Sequence, residues 1–320
     1  MEPSATGIDA LRERYGIPDA VRFEAGPNGL TRVVVVTPQA EAQLYLHGAH
    51  VTHYQPRGGR PVLFRSEQSR LAADAPIRGG VPIVFPWFGP KAGDPSAPTH
   101  GFARVAEWSV ESATQAADGS VELVCCLDSA MATHPSWTHA YSLRYRVAIG
   151  SLLELVLEVH NPSEKPFAFE EALHTYLSVG DARQLSVTGL ADTTYIDKTD
   201  GARRKVQGPE PIRITEETDR VYLGTRATCV VDDPAWARRL AVEKSGSEAT
   251  VVWNPWIAKA KAMPDFGDEE WPGMLCLETG NVADHAVTLQ PGQHHELRAV
   301  IRSEPLRGES GPGGQQAAVT

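Results

Sequence analysis

Short runs of alternating apolar and polar residues, punctuated by Gly, Pro, Asn and Asp, fill the chain from Arg32 almost to its end. They include RVVVVT (32–37), AQLYLH (42–47), AHVTHYQP (49–56), ELVCCLD (122–128), YSLRYRVAI (141–149) and LLELVLEVHN (152–161). PVLFRS (61–66), QLSVTG (184–189), RVYLG (220–224), ATCVVD (227–232) and RRLAVEK (238–244) extend the series. ATVVWN (249–254), GMLCLE (273–278), AVTLQPG (286–292) and HELRAVIRS (295–303) complete it. Side chains alternate between the faces of a strand, and β-branched and aromatic residues fit that pleated surface. Residues 141–161 predict a hairpin around Gly150-Ser151. Helical periodicity is confined to IDALRERY (8–15), stopped by Gly16-Ile17-Pro18. So many short strands predict an all-β antiparallel sandwich. The expected division is an N-terminal extension over 1–20, one β domain over 21–304 and a disordered tail over 305–320, rich in Gly, Gln and Ser.

Composition decides which partners such a sandwich can serve. A net charge of −10 argues against a nucleic-acid ligand, which needs a clustered basic excess. No run reaches the ~18 apolar residues of a membrane helix, and the polar N-terminus lacks a signal-peptide core. The four cysteines, Cys125, Cys126, Cys229 and Cys276, form no CxxC pair. A cytoplasmic location is expected, without disulfides or a zinc site. A monomer is favoured over an obligate oligomer.

FAFEEALHTYLSVGD (167–181) reads as one strand, with His174 sharing a face with Glu170, Ala172 and Tyr176. A hydrogen-bonded core histidine is the default for such a position. APIRGGVPIVFPWFGP (75–90) is broken by prolines and glycines and reads either as a stiff structural loop or as a pocket wall offering Trp87, Phe88 and Arg78. In THGFARVAEWSV (99–110), Gly101 permits a close turn from which His100 and Arg104 project; for Arg104 a surface ion pair is the plain alternative. Glu278 follows the apolar run GMLCL and ends a buried strand, where a carboxylate is paired or functional. Asp219 precedes a short strand as a turn residue. Lys259 and Lys261 read as solvated, His294 and His295 have no partner pattern, and His47, His50 and His53 lack metal-ligand spacing. No nucleotide-binding glycine loop or serine-hydrolase elbow is present.

Taken in order, PIRGGVPIVFPWFG, HGFAR, LHTYLSVGD, ETDRVY, VVWNPWIAKAKAMPDFGD and MLCLETGNV resemble the glucose-6-phosphate 1-epimerases, a branch of the aldose 1-epimerase (galactose mutarotase-like) superfamily. The resemblance spans about Gln43 to the final strand. It implies a large antiparallel supersandwich with an open cleft and an isomerase without cofactor or metal. It further implies that His174 and Glu278 are catalytic, that His100 and Asp219 contact the sugar, and that Arg78 and Arg104 hold a 6-phosphate. The departures are a threonine before His100 and Glu170-Glu171 where apolar residues are usual; Glu170 is a candidate for tuning His174. The implied reaction is acid/base interconversion of the α and β anomers of a hexose 6-phosphate, chiefly glucose 6-phosphate. Unperturbed glutamate (~4.3) and histidine (~6.5) pKa values leave the base ionised and the acid protonated near neutrality. Alternatives are a mutarotase for unphosphorylated aldoses, a non-catalytic carbohydrate-binding sandwich stacking sugars on Trp87, Trp253 and Trp256, and a glycoside hydrolase using Asp219 with Glu278.

Overall fold

The computed structural model describes residues 5–306. Two eight-stranded antiparallel sheets and a four-stranded meander dominate it. The meander joins Val21–Ala25, Thr31–Val36, Ala40–Tyr45 and His50–Pro56. One large sheet contains the hairpin expected from the sequence, Ser142–Ile149 against Leu153–His160, in register from Ser142↔His160 to Ile149↔Leu153. Its inward residues Leu143, Tyr145, Val147, Leu155, Leu157 and Val159 are buried in the main core. Each such side chain contributes about 1.5–3 kcal/mol on removal from water.

The second large sheet carries the chemistry. Its centre is Met274–Asn281, buried at all eight positions. Ala249–Asn254 flanks it on one side, and Glu171–Leu173 and Tyr176–Ser178 lie along the other. Alternation divides the central strand between two environments. Leu275 and Leu277 enter the main core, while Met274 and Cys276 join a second apolar cluster with Tyr176, Val251 and Trp253. Glu278 shares the parity of Met274 and Cys276, so its carboxylate emerges on that second face.

The stretch 167–181 is three short strands, where one was expected. Phe167–Phe169 pairs with Val287–Leu289, whereas Glu171–Leu173 pairs with both Ile83–Val84 and the central strand. The chain changes partners at Glu170. At His174-Thr175 the ladder is interrupted again: the His174 N–H donates to Pro82 O and the Thr175 N–H to Leu173 O. PVLFRS (61–66) makes only the isolated bridges Leu63↔Leu177 and Arg65↔Gly79. Asp219 lies within the strand Thr218–Leu223, where a turn residue preceding the strand was expected, and Glu278 lies inside its strand, where the strand's end was expected. Two strands, Thr194–Asp197 and Arg203–Val206, escape the apolar-run reading because the second is largely exposed and basic.

The N-terminal helix spans Ala5–Tyr15 and seats Ile8, Leu11 and Tyr15 on the core. A second helix, Trp256–Ala262, forms from good helix formers, WIAKAKA, after Asn254 Oδ1 accepts the Trp256 N–H at 2.9 Å. Neither is long and apolar enough to cross a membrane. All four cysteines are free. Residues 307–320, most of the expected tail, lie outside the described residues.

Candidate active site

His174 and Glu278 meet at the floor of a cleft. His174 stands where the Glu171–Leu173 strand breaks off, and Glu278 projects from the neighbouring central strand, bringing Nε2 within 3.2 Å of Oε1. The imidazole stacks on Tyr176, with ring centroids 4.8 Å apart, and meets Trp253 and His100 edge-on. His174 Nδ1 and Glu278 Oε2 are buried without a hydrogen-bond partner among the described residues. Buried polar atoms are seldom left so. Those two atoms give the pair unused capacity inside a cavity of about 270 Å³.

His100 lines the same cavity, and its orientation is fixed by backbone geometry. Gly101 has a φ of +74°, and a Cβ there would stand 1.9 Å from Phe85 O. His100 itself takes a φ of 63°, a conformation unfavourable for a side-chain-bearing residue and common at functional sites. Its N–H donates to Gly89 O at 2.8 Å, and its Nδ1 accepts the Gly89 N–H at 3.1 Å. Since Nδ1 accepts, the ring proton of the neutral imidazole resides on Nε2, a donor suited to a sugar oxygen. Burial, reinforced by the Arg104 charge, holds the His100 pKa well below the ordinary value and keeps the ring neutral.

The cationic side chains are distributed differently from the expectation. Arg78 lines the cavity, but its guanidinium already donates to Asp265 at 3.2 Å through both Nε and an Nη, and to Tyr176 Oη at 3.0 Å. Arg104 is not a lining residue; it donates to Thr99 O at 2.6 Å, and its charge acts on both His100 and His174. Burial, then repulsion from Arg78, lowers its pKa to about 10. Lys198 and Lys259 line the cavity instead. Lys198 follows the missed strand Thr194–Asp197, and its ammonium lies 4.7 Å from the Phe88 ring centroid. Lys259, read as solvated, faces the cleft from the missed helix and pairs with Glu217 at 3.2 Å. Asp219 also lines the cavity, its pKa raised by burial against the pull of Lys198 and Lys259.

Two further expectations fail. Glu170 does not reach His174: its carboxylate accepts the Phe88 N–H at 2.8 Å and the Ala283 N–H at 2.7 Å, bracing the cleft wall. Of the three tryptophans offered as sugar platforms, only Trp253 lines the cavity. Trp87 is buried with its N–H on Pro98 O, and Trp256 packs on Trp271.

The protonation states also depart from the unperturbed values. Burial, then the charges of Arg104 and Arg78, drives His174 well below the usual histidine range. Burial, then the nearby Asp219 carboxylate, drives Glu278 well above the usual carboxylate range. Both directions favour a neutral pair holding one proton, on Glu278 in the free protein. One proton shared across 3.2 Å is still the inventory that acid/base chemistry needs, since one group can give while the other takes.

Known proteins agree with this architecture. The family model for aldose 1-epimerase matches residues 32–302. A relative from Cenchrus ciliaris, provisionally named a glucose-6-phosphate 1-epimerase, is 33% identical over 87% of this chain and 86% of its own. One of the same provisional name from Escherichia coli (strain K12) is 36% identical over 80% of this chain and 84% of its own. The crystal structure of a protein from Salmonella typhimurium, provisionally described as a mutarotase, superposes with a TM-score of 0.85 at 31% identity, over 93% of this chain and 99% of that one. A galactose mutarotase-like protein from Clostridium acetobutylicum shares the fold at 14% identity, with a TM-score of 0.70 over 89% of this chain and 98% of its own. The chain belongs to the aldose 1-epimerase family of isomerases.

Proposed function

We propose that this isomerase interconverts the α and β anomers of a hexose 6-phosphate, chiefly glucose 6-phosphate, with His174 and Glu278 as the proton-transfer pair. The observation that carries the reading is a buried His–Glu pair at 3.2 Å on the floor of a cleft whose lining includes Arg78, Lys198 and Lys259. Arg78 is paired with Asp265 and Lys259 with Glu217, so Lys198 is the lining cation without a carboxylate partner among the described residues, and a 6-phosphate would use it where a neutral sugar would not. Arg78 and Lys198 reach the anion, and Arg104 adds its charge while its bond to Thr99 shapes the wall.

The anion also shifts the protonation of His174. Arg78, Arg104 and Lys198 all depress the His174 pKa in the free protein. A phosphate beside them offsets their field, so imidazolium becomes affordable at the moment substrate binds. Glu278, ionised, removes the proton from the anomeric hydroxyl as His174 gives one to the ring oxygen. The O1–H electron pair becomes the second bond of the aldehyde, and the C1–O5 pair stays on the protonated O5. Rotation about C1–C2 presents the other carbonyl face, and closure returns both protons. His100 donates from Nε2 to a sugar oxygen, and phosphate anchoring places C1 between acid and base.

The test is relaxation of pure α-glucose 6-phosphate by polarimetry, with glucose and galactose as controls. His174→Asn and Glu278→Gln should each slow it by about 10²–10⁴-fold, the usual worth of a general acid or base. Wild-type rates in either variant would refute the assignment. Equal kcat/KM for glucose and its 6-phosphate would favour the unphosphorylated-aldose reading.

A further inference from the structure

Beside the catalytic pair, though not itself lining the cavity, stands a thiol that the mechanism does not use. Cys276 lies on the central strand two residues before Glu278, on the same face, and is paired in register with Tyr176, on which His174 stacks. It is fully buried. One ligand atom from each of His174, Cys276 and Glu278 falls within 4.8 Å of the other two. These are an imidazole nitrogen, a sulfur and a carboxylate oxygen, the donor types that bind zinc. A tetrahedral ion with bonds of about 2.0–2.3 Å holds its ligand atoms roughly 3.3–3.8 Å apart. Binding therefore requires the three groups to draw together by up to about 1 Å. His174 Nδ1 and Glu278 Oε2 provide the unpartnered buried atoms that such an ion would satisfy.

We propose that His174, Cys276 and Glu278 form an inhibitory binding site for a thiophilic divalent cation of the zinc class. The ion takes the lone pairs of both the acid and the base, so it excludes the proton transfers and competes with the sugar. Cys276 supplies the selectivity, because its thiolate distinguishes zinc-like ions from magnesium or calcium. Binding expels the thiol proton and the proton shared by the His–Glu pair, so it strengthens as pH rises. The neighbouring Arg78 and Arg104 repel the ion, and the two anionic ligands offset that repulsion.

The inhibition rests on the mutarotase reading; the binding does not, and two measurements separate them. Cobalt(II) titrated into the full chain should give a thiolate-to-cobalt charge-transfer band, absent from Cys276→Ser and from Cys276→Ala. No band, or the same band in either variant, overturns the site whatever the enzyme's substrate. With α-glucose 6-phosphate, zinc should raise KM at constant kcat, reversibly by chelation, and magnesium should not. Because Cys276 takes no part in the proton transfers, either variant should keep its zinc-free rate. Its inhibition should need at least about tenfold more zinc, the least that losing even an outer-shell partner costs a metal site. Equal zinc sensitivity in wild type and both variants would refute the proposal.

Discussion

Two histidine–glutamate pairs flank the same strand junction, and they are tuned in opposite directions. At the cleft, His174 Nε2 lies 3.2 Å from Glu278 Oε1; three residues earlier in the chain, Glu171 Oε1 lies 3.0 Å from Nε2 of His295, which stands on the strand His294–Pro305 of the other large sheet. Glu171 and Asn281 are register partners, and the Asn281 amide donates to Glu171 Oε1 at 2.9 Å. Burial and two arginines push His174 down, whereas at His295 burial is outweighed by the hydrogen bond and charge of Glu171, and the pKa rises. The contrast comes from the neighbours. His174 has cations around it, while His295 has the buried carboxylate, Gly246 O at 2.9 Å and Glu296 nearby. The first pair is left able to move a proton; the second ties the sheet that carries the site to the other large sheet.

Removing one carboxylate oxygen charge from each pair is the sharpest way to break that distinction. Glu278→Gln should cost about 10²–10⁴-fold in kcat, with the fold retained. Glu171→Gln should do the reverse. It leaves His295 facing a neutral amide, and breaking a buried pair costs about 3–5 kcal/mol. Thermal unfolding should register that loss, while kcat of the surviving folded fraction should fall far less than in Glu278→Gln. A Glu171→Gln protein as stable as wild type, or as inactive as Glu278→Gln, would erase the difference between the pairs.

The cations around the catalytic pair can be tested next. Lys198→Ala and Arg78→Ala remove positive charge from the cleft lining and should raise KM for the phosphorylated sugar far more than for free glucose. A single charge-assisted hydrogen bond lost is worth about 1.5–3 kcal/mol. Arg104→Gln removes a charge that does not line the cavity, so its larger effect should be on the pH dependence of kcat. With less repulsion, the His174 pKa should rise, and because His174 acts as the protonated acid in the bound complex, the alkaline limb of the profile should move to higher pH. An Arg104→Gln profile superposable on wild type would show that Arg104 acts only on structure.

These contrasts mark what the sequence can and cannot convey. Alternation over residues 141–161 suffices for a hairpin, and GMLCL before Glu278 suffices for a buried carboxylate, because each signal is local. His174 and Tyr176 do share a face, as parity predicts, since only one residue separates them. Glu170 does not follow, because the chain changes sheet partner at that residue and parity does not carry across a break. Lys198 and Lys259 were illegible for another reason: each sits on an element whose role is set by distant packing. His295 is the clearest case. Its partner is 124 positions away, on the other large sheet, and no local pattern specifies a contact between sheets.

The smallest effect is also the most specific to the comparison. A histidine whose pKa is raised on folding binds more protons in the native than in the unfolded state. Its contribution is therefore fully present below the unfolded value of about 6.5 and disappears as pH rises through the folded value. For His295 that window opens above about pH 6.5 and ends at the raised native pKa. The depressed His174 has the opposite sign: its native state binds fewer protons, so stability falls as pH drops from about 6.5 toward the native value. Wild-type protein should therefore lose stability on both sides of near-neutral pH, with His295 and the raised Glu278 contributing on the alkaline side and His174, with the likewise depressed His50 and His100, on the acid side. His295→Gln should lessen the alkaline slope alone and His174→Asn the acid slope alone, in thermal melts across the range. Lessening of both slopes in either variant would mean that the pairs titrate as one network through the shared strands. Two separate flattenings would establish that three residues of strand suffice to insulate a proton-moving pair from a structural one.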